Sequence, residues 1–194
     1  MKNILNIDDL QNMAKKRVPK MFYEYADSGS WSGETYKANQ NDFSNIKFRQ
    51  RVGVNIENRI LSKSFLGKQV SIPLALAPTG LCGMQHYNGE IFAAQASEEF
   101  GVPFTLSTMS ICSIEDVAEA TTQPFWFQLY VMRDKIFISN LLSRAQEAGC
   151  NVLQITMDLN ILGQRHADVR NGLSAPPKFK LEHIKQIITK PRWA

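Results

Sequence analysis

Between residues 73 and 158, short apolar runs alternate with longer helix-like segments, and this alternation limits the possible folds more than any other feature of the chain. The apolar runs are PLALAP (73–78), VPFTLST (102–108), FWFQLYV (125–131) and NVLQITMD (151–158). Between them lie GEIFAAQASEEFG (89–101), SIEDVAEA (113–120) and DKIFISNLLSRAQEAG (134–149). Ser113 with Asp116, and Asp134 ahead of its apolar helix, are start signals, while Gly101 and Gly149 are stops. Strands and helices repeating at this period predict βαβ units on a parallel sheet.

Each predicted strand ends in small or polar groups: Pro78-Thr79, Ser107-Thr108, Gln128 with Tyr130, and Thr156 with Asp158. Side chains alternate along a strand, so Gln128 and Tyr130 face one way while Phe127, Leu129 and Val131 face the other. A lone polar group in a strand is usually a satisfied core group. Four consecutive strand ends carrying one predict a ligand site, because parallel α/β folds bind ligands at the carboxyl ends of their strands.

The first third reads as helical. Asp8 is the expected cap of a helix through Lys16, with Gln11 as its capping-box partner. Pro19 opens a second helix, which Gly29 is expected to end, and a third covers residues 34–43. Met21, Phe22 and Tyr25 form one stripe on the second helix, so spacing alone makes Tyr25 a core residue. Residues 49–69 read as irregular and extended, and the tail from Lys178 as one helix.

Four βα units are half of an eight-stranded barrel. An open half barrel would carry bare parallel edges and an uncovered face, which parallel sheets rarely tolerate. The expectation is therefore the amino-terminal part of one barrel domain. Residues 1–70 form its lead-in, 71–172 the first four βα units, and 173–194 the start of the next loop.

The remaining composition mainly excludes functions. The +4 charge of this 194-residue chain is scattered rather than clustered with aromatics, so no nucleic-acid surface is expected. Cys82, Cys112 and Cys150 form no CxxC and, without a signal peptide, read as free thiols of a reducing cytoplasm. His86, His166 and His183 lack ligand spacing, so no metal is expected. There is neither a GxGxxG nor a P-loop, and no apolar run approaches a membrane span.

PKMFYEYADSGS, LALAPTGLCGM, PFTLSTMSICSIEDVA, WFQLYV and GQRHADVRNG together resemble, in order and spacing, the FMN-dependent α-hydroxy-acid dehydrogenase and oxidase family. ADSGS, APTGLCGM and PFTLSTMS look most like its flavin-type bacterial L-lactate dehydrogenase branch. The resemblance implies a TIM (β/α)8 barrel, present here as its first half, with FMN across the carboxyl-end mouth. The backbone of Ala77, Pro78 and Thr79 would border the flavin's reactive edge, and Ser107, Gln128 and Thr156 would hydrogen-bond the ring or its ribityl side. Tyr25 and Arg165 would bind the substrate carboxylate, and Tyr130 its hydroxyl oxygen, where charge develops. Without the family, Arg165 would read as a surface loop arginine.

The implied reaction takes two electrons and two protons from an L-2-hydroxy acid, L-lactate first among them, to give a 2-oxo acid. Its acceptor would be a quinone, a cytochrome or oxygen. The family's base histidine, in a motif resembling SNHGGRQLD, belongs to the second half barrel. His166 and His183 lie outside such a motif, so this chain by itself is expected to be inactive. Met109 stands where glycolate oxidases carry tryptophan, and Asp158-Leu159-Asn160 lacks the usual proline. A cytoplasmic protein is implied, or one peripheral on the inner membrane face, with a homo-oligomer for the full-length form. The alternative is a non-catalytic half-barrel remnant, or a subunit that needs a second polypeptide.

Overall fold

The structure is a computed structural model and describes residues 4–173 and 181–193. Asn6, rather than Asp8, caps α1 (Ile7–Arg17), its side chain accepting the Asp9 N–H at 2.9 Å. Asp8 and Asp9 thus fall in the first turn, where the helix dipole favours acidic groups. Gln11 is no capping partner; its amide donates to the Asp27 carboxylate at 2.7 Å. α2 (Lys20–Ala26) starts directly after Pro19 and ends at Asp27, two residues before the expected Gly29. Gly29 has a packing role instead. A Cβ there would lie 2.7 Å from Cβ of Tyr36 in α3 (Glu34–Asn41).

The stretch expected to be irregular contains an antiparallel hairpin, β1 (Lys63–Phe65) with β2 (Lys68–Val70). Leu66 and Gly67 turn it, with φ of 47° and 78°. Positive φ at both central residues suits the twist of a two-residue hairpin. PLALAP, expected to be a strand, makes only a parallel bridge from Leu76 to Phe104. Pro73 and Pro78 have no N–H to give a ladder, which confines pairing to the four residues between them, where Leu76 makes it.

The βα alternation then follows as expected, with shorter strands: α4 (Gly89–Phe100), β3 (Thr105–Ser107), α5 (Ile114–Ala120), β4 (Trp126–Tyr130), α6 (Lys135–Glu147) and β5 (Val152–Thr156). Ser113 and Asp116 form the capping box of α5, and Asp134 caps α6 by accepting from Ile136 and Phe137. Gly101 and Gly149 close their helices at φ of 77° and 81°. α7 (His166–Arg170) and α8 (Leu181–Ile188) complete the chain. The helix expected in the tail is thus present, although residues 178–180 lie outside the described residues.

Two compact units divide the chain: residues 1–54 with 161–194, and residues 55–160. In the first, α2 packs on α7, and Val18, Met21, Phe22 and Tyr23 are buried. Tyr23 takes the core position assigned above to Tyr25, which is only half-buried.

In the second unit, β3, β4 and β5 are parallel neighbours in that order, with Ser107 opposite Gln128 and Tyr130 opposite Thr156. One face is apolar. Leu106, Phe127 and Leu129 pack against Ile114 and Val117 of α5 and Leu141 and Ala145 of α6. Burying each large side chain there contributes about 1.5–3 kcal/mol. On the other face Phe65 from the hairpin stands 5.5 Å from Trp126, ring centre to ring centre. At β5 the apolar cover ends, leaving Leu153 and Ile155 44% and 48% exposed.

Candidate functional site

The polar face of the sheet gathers three expected ligand-binding side chains into one ladder. Gln128 is 1% exposed, and its register opposite Ser107 puts both on the same face. Its Oε1 accepts from Ser107 Oγ at 3.2 Å and from Thr108 N at 3.3 Å. Its Nε2 donates to Thr156 Oγ1 at 2.8 Å. The amide is therefore fixed in orientation by three strand ends, with Oε1 and Nε2 assigned by their partners. One Nε2 hydrogen and the Thr156 hydroxyl proton have no partner among the described residues.

Thr108 completes the strand ends, although it was not singled out as a site residue. Its Oγ1 donates to the Gln128 carbonyl at 2.6 Å and accepts from Tyr130 N at 3.2 Å. That side chain extends the β3–β4 pairing past the last strand residue, because a hydroxyl can both give and take a hydrogen bond. Tyr130 lies two residues beyond Gln128 on the same face and is half-buried. Ala77, Pro78 and Thr79 lead into Gly80, which lies close beside this ladder: a Cβ on Gly80 would meet Met109 Cβ at 3.2 Å and Ser107 Oγ at 3.8 Å. The Leu81 N–H donates to the Met109 carbonyl at 2.9 Å, so the two loops run together.

Tyr25 and Arg165 meet in the other unit. The Arg165 guanidinium carbon lies 4.8 Å from the centre of the Tyr25 ring, and an Nη donates to the Tyr25 carbonyl. Its Nε donates to Asp168 Oδ2 at 2.6 Å. Asp168 thus holds the inner side of the guanidinium and leaves Nη hydrogens for a bidentate grip on an anion. Sequence reading missed Asp168, although its place three residues after Arg165 on a short helix is a readable signal. His183, not promoted to a base above, is buried against the Asn171 carbonyl at 2.9 Å.

Behind Tyr25, Asp27 collects hydrogen bonds from Tyr36 Oη at 2.6 Å and Gln11 Nε2 at 2.7 Å. Burial pushes the Tyr23 phenol up to about 12, aided by its hydrogen bond to Asp27. The protonated phenol is the form the fold favours, so its stabilising effect is complete below the unfolded value near 10. It disappears as pH rises through about 12. One tyrosine is therefore expected to ionise near pH 12 in an absorbance titration at 295 nm, with thermal stability falling over the same interval. All tyrosines titrating together near 10 would contradict this.

Among the described residues no group of three His, Cys, Asp or Glu is placed to hold a metal ion. Among them, too, no helix is long and apolar enough to cross a membrane. All three cysteines are free.

A parallel run of βα units with its polar groups gathered at the strand ends defines the α/β class that binds small molecules at the carboxyl edge of its sheet. Within that class the chain belongs to the FMN-dependent dehydrogenase family, which it matches over residues 14–194. It is 44% identical over 191 residues to an L-lactate dehydrogenase of Haemophilus influenzae, covering 98% of this chain and 50% of that protein. An L-lactate dehydrogenase of Ectopseudomonas mendocina is 43% identical over 186 residues, covering 96% and 49%. The crystal structure of a monotopic membrane protein, (S)-mandelate dehydrogenase, superposes with a TM-score of 0.91 at 34% identity, covering 98% of this chain and 51% of that one. The chain spans about half the length of the curated relatives it matches.

Proposed function

We propose that this chain forms the first half barrel of an FMN-dependent L-2-hydroxy-acid dehydrogenase, with L-lactate as substrate. The observation that carries the reading is the ladder of buried Ser107 and Gln128 with half-buried Thr156, joined across three parallel strand ends. Its donor set fits the cofactor. A flavin ring is neutral and rimmed with carbonyl oxygens, and the ladder keeps one amide N–H and one hydroxyl proton unused, on side chains that cannot reorient freely. Ala77, Pro78 and Thr79 would border the ring's reactive edge, close to Ser107 through Gly80.

Bound FMN supplies the two-electron acceptor. The chain's own residues supply grip and orientation. Arg165, braced by Asp168, would take the substrate carboxylate in a fork, with Tyr25 as a second donor. Tyr130 would donate to the hydroxyl oxygen as its proton leaves, which stabilises charge at the atom where it develops. The proton acceptor would come from outside this chain. Peripheral association with the inner membrane face is part of the same reading; its support is the membrane-associated mandelate dehydrogenase among the structural neighbours.

The test joins this chain to the second half of the Haemophilus influenzae relative. The product is expected to be yellow, and to bleach under anaerobic L-lactate but not D-lactate. A colourless, folded product would overturn the reading. A second reading, a non-catalytic subunit, is favoured only by the exposed Leu153 and Ile155 at the sheet edge. It predicts a yellow or colourless product that L-lactate leaves unchanged.

A further inference from the structure

Glu90 is among the most deeply buried side chains of the chain, at 1% exposure, and nothing in the reading above uses it. It lies in the first turn of α4, where an acidic residue is usually an exposed partner of the helix dipole. Here its Oε1 accepts from Ile111 N at 2.9 Å and from Gly83 N at 3.3 Å. Its Oε2 takes no backbone hydrogen bond; the carboxylate instead faces the buried Cys112 thiol, whose pKa is raised first by burial and then by its hydrogen bond to Glu90. A carboxylate is rarely buried this deeply unless paired, and the two backbone amides, with the Cys112 thiol beside them, are what hold it here.

Gly83 and Ile111 belong to different strand-end loops. Gly83 sits in the turn Cys82–Met84, just after the proposed flavin-edge residues Ala77, Pro78 and Thr79. Ile111 follows Ser107 and Met109. The loops touch so closely that a Cβ on Gly83 would lie 2.6 Å from Ile111 Cβ. Cys82 Sγ donates to the Thr79 carbonyl at 3.4 Å, which links the turn back to the flavin edge. Burial, then the nearby Glu90 carboxylate, pushes the Cys82 thiol up to about 11, so at neutral pH it remains a donor.

We propose that Glu90 is a positioning residue, whose buried carboxylate staples the Gly83 and Ile111 amides together and so sets the distance between Thr79 and Ser107 for the flavin. The proposal rests on the flavin-site reading above.

Two variants of the full chain separate a staple from a helix-end charge. Glu90→Gln keeps the Oε1 acceptor and loses the charge, whereas Glu90→Asp keeps the charge and withdraws the acceptor by one methylene. The staple predicts that Glu90→Asp exchanges its Gly83 and Ile111 amide hydrogens about tenfold faster, while Phe127 and Leu129 in β4 are unchanged. It also predicts an FMN affinity lowered about tenfold by fluorescence titration, with Glu90→Gln close to wild type on both readouts. Wild-type behaviour of Glu90→Asp, losses in Glu90→Gln as large as in Glu90→Asp, or loosening that extends equally through β4 would each overturn the proposal. The FMN titrations use the protein joined to the second half barrel as described above; failure of its wild-type form to take up FMN would instead contradict the flavin-site reading, and the proposal with it. FMN binding equal in wild type and Glu90→Asp would overturn the proposal alone.

Discussion

Replacing Gln128 with leucine is expected to weaken FMN binding by roughly a hundredfold or more while the chain stays folded. Leucine is close in volume, so the sheet keeps its packing. It cannot accept from Ser107 or donate to Thr156, and both interactions pass through one amide. Thr108 N keeps its bond to the Gln128 main-chain carbonyl at 3.1 Å, so the strand ends stay aligned. The Ser107 hydroxyl loses its acceptor in a buried setting, which costs about 1–3 kcal/mol of stability. Flavin fluorescence quenching measures the affinity, and urea denaturation measures the stability. Unchanged quenching would show that the ladder faces something other than the flavin.

Phe127→Ala probes the opposite side of the same strand. Phe127 is 1% exposed among Leu106, Val117, Leu141 and Ala145. Truncating it removes transfer free energy and leaves a cavity, so a loss of about 3–5 kcal/mol is expected. That is a large share of a typical stability of about 5–15 kcal/mol. The urea midpoint should drop with little change in slope. Leu153→Ala, one strand further along at 44% exposure, should cost well under half as much. Equal losses at the two positions would mean that the apolar face is covered evenly out to β5.

Much of this was legible in the chain because period-two and period-3.6 patterns report directly on faces. Gln128 and Tyr130 stand out since a strand cannot hide two polar groups on one side without a reason, and the structure gathers Gln128 with Ser107 and Thr156. The capping box at Ser113 and the stops at Gly101 and Gly149 are local rules that tertiary packing did not override. What escaped was decided by neighbours distant in sequence. The Leu66-Gly67 turn is hard to read because leucine rarely takes positive φ. Tyr23 and Tyr25 are both plausible core residues until α7 selects one face of α2. Glu90 was invisible for a different reason: an acidic residue in a first helical turn reads as ordinary surface charge, and only loop backbones from two other segments make it a buried acceptor.

The two units also differ in when they can form on the ribosome. Residues 55–160 add each strand beside the previous one, so this unit has its partners within a few tens of residues. The first unit is discontinuous. Met21 N donates to Gln186 at 3.1 Å, the Phe22 ring lies 5.2 Å from Trp193, and Tyr25 meets Arg165. The helices of residues 7–41 are therefore made before residues 55–160 but complete their contacts after them. At about 5–20 residues per second, α2 waits roughly ten seconds or more for its contacts, with Met21 and Phe22 uncovered meanwhile. Chaperone capture during synthesis is thus expected at the helices of residues 7–41 rather than at the sheet of residues 55–160.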